Sequence, residues 1–307
     1  MINRTLIRIK TVQLIYAYYQ NGGKDVNVAE KELLFSMGKS YDLYKYLLTL
    51  IVEVTNYAKD VVFQREQLNK VAHIDTPISH RFCDNRLAAQ LEANKQLSEF
   101  RGQLKQTWSD TPDFMKKLYR DICASEQYIA YMNAPEADYA ADKELWRSLY
   151  KHVVMKDTRI DEILEEQSLY WNDDREIIDT FVVKTIKRLN ADSDESFELL
   201  PQYKDAEDLT FGTNLFRAVI DQAEECRELI SGSIQNWAFD RLAFMDLLIM
   251  QTAVAELLNF PLIPASVTIN EYVEIAKMYS THKSGSYVNG IIDNICKKLT
   301  HCGRINK

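Results

Sequence analysis

Nine glycines and six prolines in 307 residues leave this chain few places to reverse direction tightly. A sandwich or barrel of short strands needs a turn signal roughly every 8–12 residues, usually built on those two residues. No segment shows sustained period-two alternation, whereas apolar residues recur at three- and four-residue spacing along most of the chain. The sequence therefore predicts an all-α protein with essentially no sheet. A hydrophobic fraction of 46% against 27% charged residues excludes wholesale disorder. The length accommodates one large domain or two ordinary ones.

Other classes fall on similar grounds. The most apolar stretch, Ala243 to Leu258, is interrupted by Asp246, Gln251 and Glu256, while a membrane span needs about 20 predominantly apolar residues. Met1-Ile2-Asn3-Arg4 does not open a secretory signal. Five scattered cysteines suit free thiols in a reducing compartment, so a cytoplasmic protein is expected. The net charge of −8 does not favour nucleic acid as a partner, but binding depends on a local patch and not on the total.

Along the chain, a first helix is expected from about Asn3 to Gln20, ending at Gly22-Gly23. Asn27 and Glu30 read as a capping box opening a helix that stops near Gly38. Further helices are expected over about 41–67, 85–108, from Thr111-Pro112, and over 138–156, 159–171 and 173–189. Asn190 to Phe211 carries seven acidic residues and one lysine and reads as an acidic surface linker. Beyond it helices are expected near 213–235, 237–259, 268–280 and 285–299. A shift of 66 residues places Leu149 on Leu215, Tyr150 on Phe216 and Val153 on Val219, and Trp171-x-x-Asp174-Arg175 on Trp237-x-x-Asp240-Arg241. This is a weak internal repeat of a helix pair.

Few motifs suggest chemistry. Gly38-Lys39-Ser40 lacks the earlier glycine and the preceding strand of a phosphate-binding loop and reads as a helix C-cap. His80-x-x-Cys83 and His301-Cys302 lack the second pair that a structural metal site requires. No metal, no cofactor and no catalytic residue is expected. The first helix is more informative. Arg4 and Arg8 share a face, Lys10 adds a charge on another side, and no acidic residue precedes Asp25. Tyr16, Tyr18 and Tyr19 offer rings that could stack on bases. In the last third, Thr268 and Glu271 read as a capping box, with Asn270 serving neither core nor cap.

The run Pro264-Ala265-Ser266-Val267-Thr268-Ile269-Asn270-Glu271-Tyr272-Val273-Glu274-Ile275-Ala276-Lys277, followed by Tyr287-Val288-Asn289-Gly290-Ile291-Ile292-Asp293, resembles the NusB family of transcription antitermination factors. Leu215-Phe216-Arg217, Trp237-x-x-Asp240-Arg241, Asp246 and Ala255-Glu256-Leu257 resemble the family's two central helices. Val12-Gln13-Leu14-Ile15-Tyr16 resembles its first helix.

The resemblance implies a NusB-like helical bundle of two packed subdomains, formed by 1–20 and 207–307 and interrupted by an additional helical region over 21–206. It implies no catalysis. It implies binding of boxA-type RNA together with a small ribosomal protein, NusE, within a transcription elongation complex. By resemblance, Arg4, Arg8, Lys10, Gln13 and Tyr16 face RNA, Asp246 and Tyr287 face the protein partner, and Thr268, Asn270, Glu271 and Asn289 belong to the structural motif. Thr5, Leu6, Leu247 and Gln251 stand where members often carry arginines, a loss that lowers phosphate affinity. A helical protein-interaction scaffold and an accessory to RNA methylation are the alternative readings.

Overall fold

A computed structural model describes residues 2–136, 138–171, 173–234, 242–281 and 283–306. Among these the secondary structure is helical apart from one isolated parallel bridge between Ile2 and Tyr203. The chain divides into two units. One comprises Lys39–Gln202; the other combines Ile2–Gly38 with Tyr203–Lys307.

The second unit holds α1 (Arg4–Gln20), the first quarter of α2 (Val26–Val71), α10 (Ala206–Asp221), α11 (Ala223–Ser231), α12 (Phe244–Asn259), α13 (Ala265–Tyr279) and α14 (Ser284–His301). In it α1 packs on α10 and α12, and α12 packs in turn on α13 and α14. The fully buried Ile249, Met250, Ala253 and Leu257 show why α12 tolerates so apolar a sequence: it is the central helix of this unit. Gly212 lies where α10 passes close to α1. A Cβ there would stand 2.9 Å from Cγ2 of Ile7.

The first unit holds the rest of α2 with α3 (Arg86–Ala93), α4 (Lys95–Gln103), α5 (Pro112–Ala124), α6 (Glu126–Asn133), α7 (Tyr139–His152), α8 (Arg159–Gln167) and α9 (Arg175–Arg188). Tyr46 organises its core: Trp108 and Trp171 stack on its ring at centroid distances of 4.5 and 5.2 Å. Asp179, in α9, accepts a 2.6 Å hydrogen bond from Tyr150 of α7 and lies 3.5 Å from the Arg175 guanidinium. Burial pushes its carboxyl up to about 6, against the lowering effect of the Tyr150 bond and the Arg175 charge.

Several expectations need correction. The helix opened near Asn27 does not stop at Gly38; α2 is continuous over 46 residues. Gly38 lies inside it, and nothing crowds its vacant Cβ position. A single glycine costs a helix only about 1 kcal/mol, which the buried row Leu33, Met37, Tyr44, Leu47 and Ile51 offsets. The Asn27–Glu30 box does not form either. Asp25 caps α2 by accepting from the Asn27 and Val28 amides, while Asn27 and Glu30 both receive Arg217.

Residues 190–202 are not a free linker. Gln90 donates to the carbonyls of Asn190 and Ser193, Asn94 donates to that of Phe197, and the Lys95 amide donates to that of Glu195. The acidic residues that follow form the first turn of α10, where negative charge suits the helix dipole. The expected 85–108 helix breaks at Asn94, whose side chain caps α4. The helix from Pro112 and the break near Thr76-Pro77 are as expected. For the internal repeat, residues 149–153 and 215–219 lie near the ends of helices, but Trp237, Asp240 and Arg241 fall outside the described residues.

Candidate nucleic-acid and protein-binding surface

The α1 helix is capped by Asn3, whose side chain accepts from the Leu6 amide at 2.9 Å, and it ends before Gly22 and Gly23, both at positive φ. Leu6, Ile7, Ile9, Val12 and Ile15 are buried. Two of its three cations are buried with them. Arg8 donates through Nε and Nη2 to the two carboxylate oxygens of Glu256, at 2.8 and 2.9 Å. The Thr268 hydroxyl and the Tyr272 phenol donate to the same carboxylate, each at 2.9 Å. Glu271 approaches Nη1 of Arg8 at 3.5 Å. Burial alone would lower the Arg8 guanidinium, but the Glu256 bond and charge outweigh it and hold it above its ordinary value. The Tyr272 phenol is pushed well above its usual range by burial and by the Glu256 charge.

This cluster corrects three expectations. Arg8, 2% exposed, is not on a solvent face beside Arg4. Lys10, also 2% exposed, is buried as well. Thr268 and Glu271 are not a capping box, because α13 begins at Ala265 after Pro264 and both side chains serve the buried pair instead. The sequence already carried a signal for this: a glutamate inside the apolar run of α12 demands a buried cation.

The other α1 residues lie nearer the surface. Arg4 is partly exposed, donating to Asp208 at 2.8 Å and to Glu207 at 3.3 Å. Its guanidinium and that of Arg8 lie over the Phe211 ring at 5.2 and 5.3 Å. Gln13 donates to the Tyr279 hydroxyl at 3.0 Å. Tyr16 is exposed, with its ring 5.7 Å from that of Phe244. Phe211 and Phe244 were missed in the sequence, where an isolated phenylalanine carries no mark of its neighbours. Gln251, where the resemblance led us to look for arginine, is fully buried and donates to the Val219 carbonyl and the Tyr19 hydroxyl.

Asp246 does not point outward. It is 7% exposed and accepts from the Ser284 hydroxyl at 3.0 Å. Its other oxygen has no hydrogen-bond partner among the described residues. Tyr287 is half-buried, and burial together with the Asp246 charge raises its phenol. Asn270 and Asn289 are exposed.

Charge divides unevenly. Residues 2–38 and 203–307 carry 15 Lys and Arg against 16 Asp and Glu; residues 39–202 carry 22 against 29. The acidity of the chain therefore belongs mainly to the first unit. Among the described residues no group of His, Cys, Asp and Glu is arranged to hold a metal ion, and no helix is long and apolar enough to cross a membrane.

A family model described as the NusB family matches residues 178–297. The transcription antitermination protein NusB of Salinibacter ruber is 36% identical over 132 residues, covering 41% of this chain and 82% of that protein. The protein of the same name from Geotalea daltonii is 36% identical over 134 residues, covering 43% and 89%. A solved NusB structure from T. maritima is 28% identical and covers 50% of this chain and 91% of its own, with a TM-score of 0.30. The family match takes in most of α9, which the sequence reading had assigned to the additional region, and α1 lies outside it.

Proposed function

We propose, since the chain belongs to the NusB family, that it is an RNA-binding antitermination factor that acts with the small ribosomal protein NusE on boxA-type RNA during ribosomal RNA transcription. The observation that carries this reading is the extent of the relationship: 36% identity over most of the length of proteins named for antitermination. The packing of α1 against α10 and α12 supports it, because α1 completes the unit that holds most of the matched residues.

On this reading Arg4, Gln13 and Tyr16 contact RNA. Arg8 acts from beneath, its charge spent on Glu256, by fixing the rotation of α1 about its own axis. Lys10 is too buried to offer its ammonium to a phosphate without rearrangement. Tyr287, with the exposed Asn289 beside it, contacts the ribosomal protein, and Asp246 positions the start of α14 through Ser284. Binding and orientation, not bond chemistry, are the work of this surface.

One observation favours the protein-interaction scaffold as a second reading. Arg4, Arg217, Lys277, Lys297 and Arg304 in this unit are paired with carboxylates, so none of these five offers a phosphate an unshared charge. The two readings separate in a binding titration of the full chain with the ribosomal protein, using boxA-like and scrambled single-stranded RNA. The antitermination reading expects tighter binding of the boxA-like strand. Equal binding of both, or of neither while the protein partner still binds, favours the scaffold.

A further inference from the structure

Beyond Tyr16, the Tyr19 ring and two side chains that neither the family motif nor the sequence assigns to RNA contact, Phe244 and Arg227, extend one continuous feature. The Phe244 ring lies 5.7 Å from Tyr16 and 6.4 Å from Tyr19, and the Arg227 guanidinium sits over Tyr19 at 5.4 Å from its centroid. The order is Tyr16, Phe244, Tyr19, Arg227, drawn from α1, α12 and α11. We infer that this row is a stacking ladder for the unpaired bases of a single-stranded RNA. The inference rests on the RNA-binding reading above and adds residues to it.

Exposure separates Tyr16 and Phe244 from core packing. Tyr46 and Trp108 in the first unit are fully buried and stacked at 4.5 Å with planes 28° apart, so their faces are spent on each other. Tyr16 and Phe244 are instead 37% and 38% exposed, and their planes are inclined by 52°. Phe244 and Tyr19 are inclined by 74°. Tilt is shared with the core, where the buried Phe211 meets Phe260 at 73°; exposure is what leaves the Tyr16 and Phe244 rings accessible to a flat ligand.

Phe244 is the first residue of α12 and keeps more than a third of its surface in solvent. The guanidinium of Arg227 closes the row with a second kind of planar face. It forms no ion pair among the described residues, and its Nε meets no hydrogen-bond acceptor. Arginine planes and aromatic rings are the two surfaces on which splayed RNA bases stack. Glu224 and Glu228, on the same helix, argue against phosphate contact at this end and for contact through the base alone. A protein anchor would need these rings to fill a desolvated pocket. A row one ring wide, continuous with the α1 residues Gln13 and Tyr16, fits a strand better.

The test uses the full chain with the ribosomal protein and a fluorescein-labelled single-stranded RNA of boxA-like sequence, read by anisotropy over a range of salt. Phe244→Leu should weaken RNA binding about tenfold to a hundredfold, the weight of one stacked base. It should leave the salt slope unchanged, because no phosphate contact is lost. Phe244→Trp should restore the affinity, and the melting temperature of both variants should stay near that of the wild type. Wild-type affinity in Phe244→Leu would overturn the ladder while leaving the RNA reading standing. Loss of ribosomal-protein binding in Phe244→Leu without RNA present would make the row a protein anchor instead. No RNA binding by the wild type under any of these conditions would overturn both readings together.

Discussion

The Arg8 guanidinium and the Glu256 carboxylate, 248 positions apart, meet through two hydrogen bonds in a pocket that solvent does not reach. Four donors converge on that single carboxylate, so the charge pair is satisfied on both sides. An N-terminal helix is thereby tied to the helices near the C-terminus across the whole intervening unit.

Breaking the pair from one side should be costly. Glu256→Ala leaves the buried Arg8 charge, the Thr268 hydroxyl and the Tyr272 phenol without their acceptor. A loss of about 3–5 kcal/mol is expected, against a smaller loss for a joint apolar replacement of Arg8 and Glu256, in which only the Thr268 hydroxyl and the Tyr272 phenol lose their acceptor. Urea unfolding of the single and double variants measures both.

Helix spacing gives a second prediction. Gly212→Ala brings a methyl group to 2.9 Å from the fully buried Ile7. The variant should lose roughly 1–3 kcal/mol. Ile7→Ala, which removes that Cγ2 methyl, should cost less in the Gly212→Ala background than in the wild type, which thermal melts of the single and double variants would show.

Asp246 and Tyr287, paired in the sequence reading, should now part. Asp246→Ala removes the acceptor of the Ser284 hydroxyl and should lower stability by about 1–2 kcal/mol. Tyr287→Ala should cost about 2 kcal/mol or more of ribosomal-protein binding with little change in melting temperature. Calorimetry of each variant, alone and with the partner, separates the two effects.

The buried Asp179 makes the first unit sensitive to acid in an unusual direction. Its folded carboxyl titrates near 6, above its unfolded value, so the folded state binds the proton more tightly. Stability contributed by this group is therefore fully present below the unfolded value and is lost as pH rises through 6. Between pH 7 and 5 the wild type should gain roughly 1–2 kcal/mol relative to Asp179→Asn. Denaturant midpoints at the two pH values provide the comparison, and a constant difference would contradict it.

The helical class and most helix positions were legible because apolar spacing and the scarcity of glycine and proline act locally. The continuity of α2 through Gly38 was not, since local propensity favours a stop there and only buried neighbours on both sides overrule it. The same limit applies to the candidate surface. Arg4 and Arg8 share a helical face in any sequence reading, but whether that face meets water depends on Glu256, which only the tertiary fold brings near. Spacing tells which side chains lie together on one helix; it does not tell what the next helix offers them. Phe244 and Arg227 show the converse, two unremarkable positions that become neighbours of Tyr19 only once three helices have packed.

The most direct measurement of the central claim is the mutual effect of the RNA and the ribosomal protein on each other's binding to the full chain. If all three form one assembly, the factor by which the protein partner tightens boxA-like RNA must equal the factor by which the RNA tightens the partner. Paired calorimetric titrations, each ligand with and without a saturating amount of the other, give both factors. The account predicts equal factors well above one, lost when the RNA sequence is scrambled. RNA affinity that is the same with and without the partner, or absent in both cases, would contradict it.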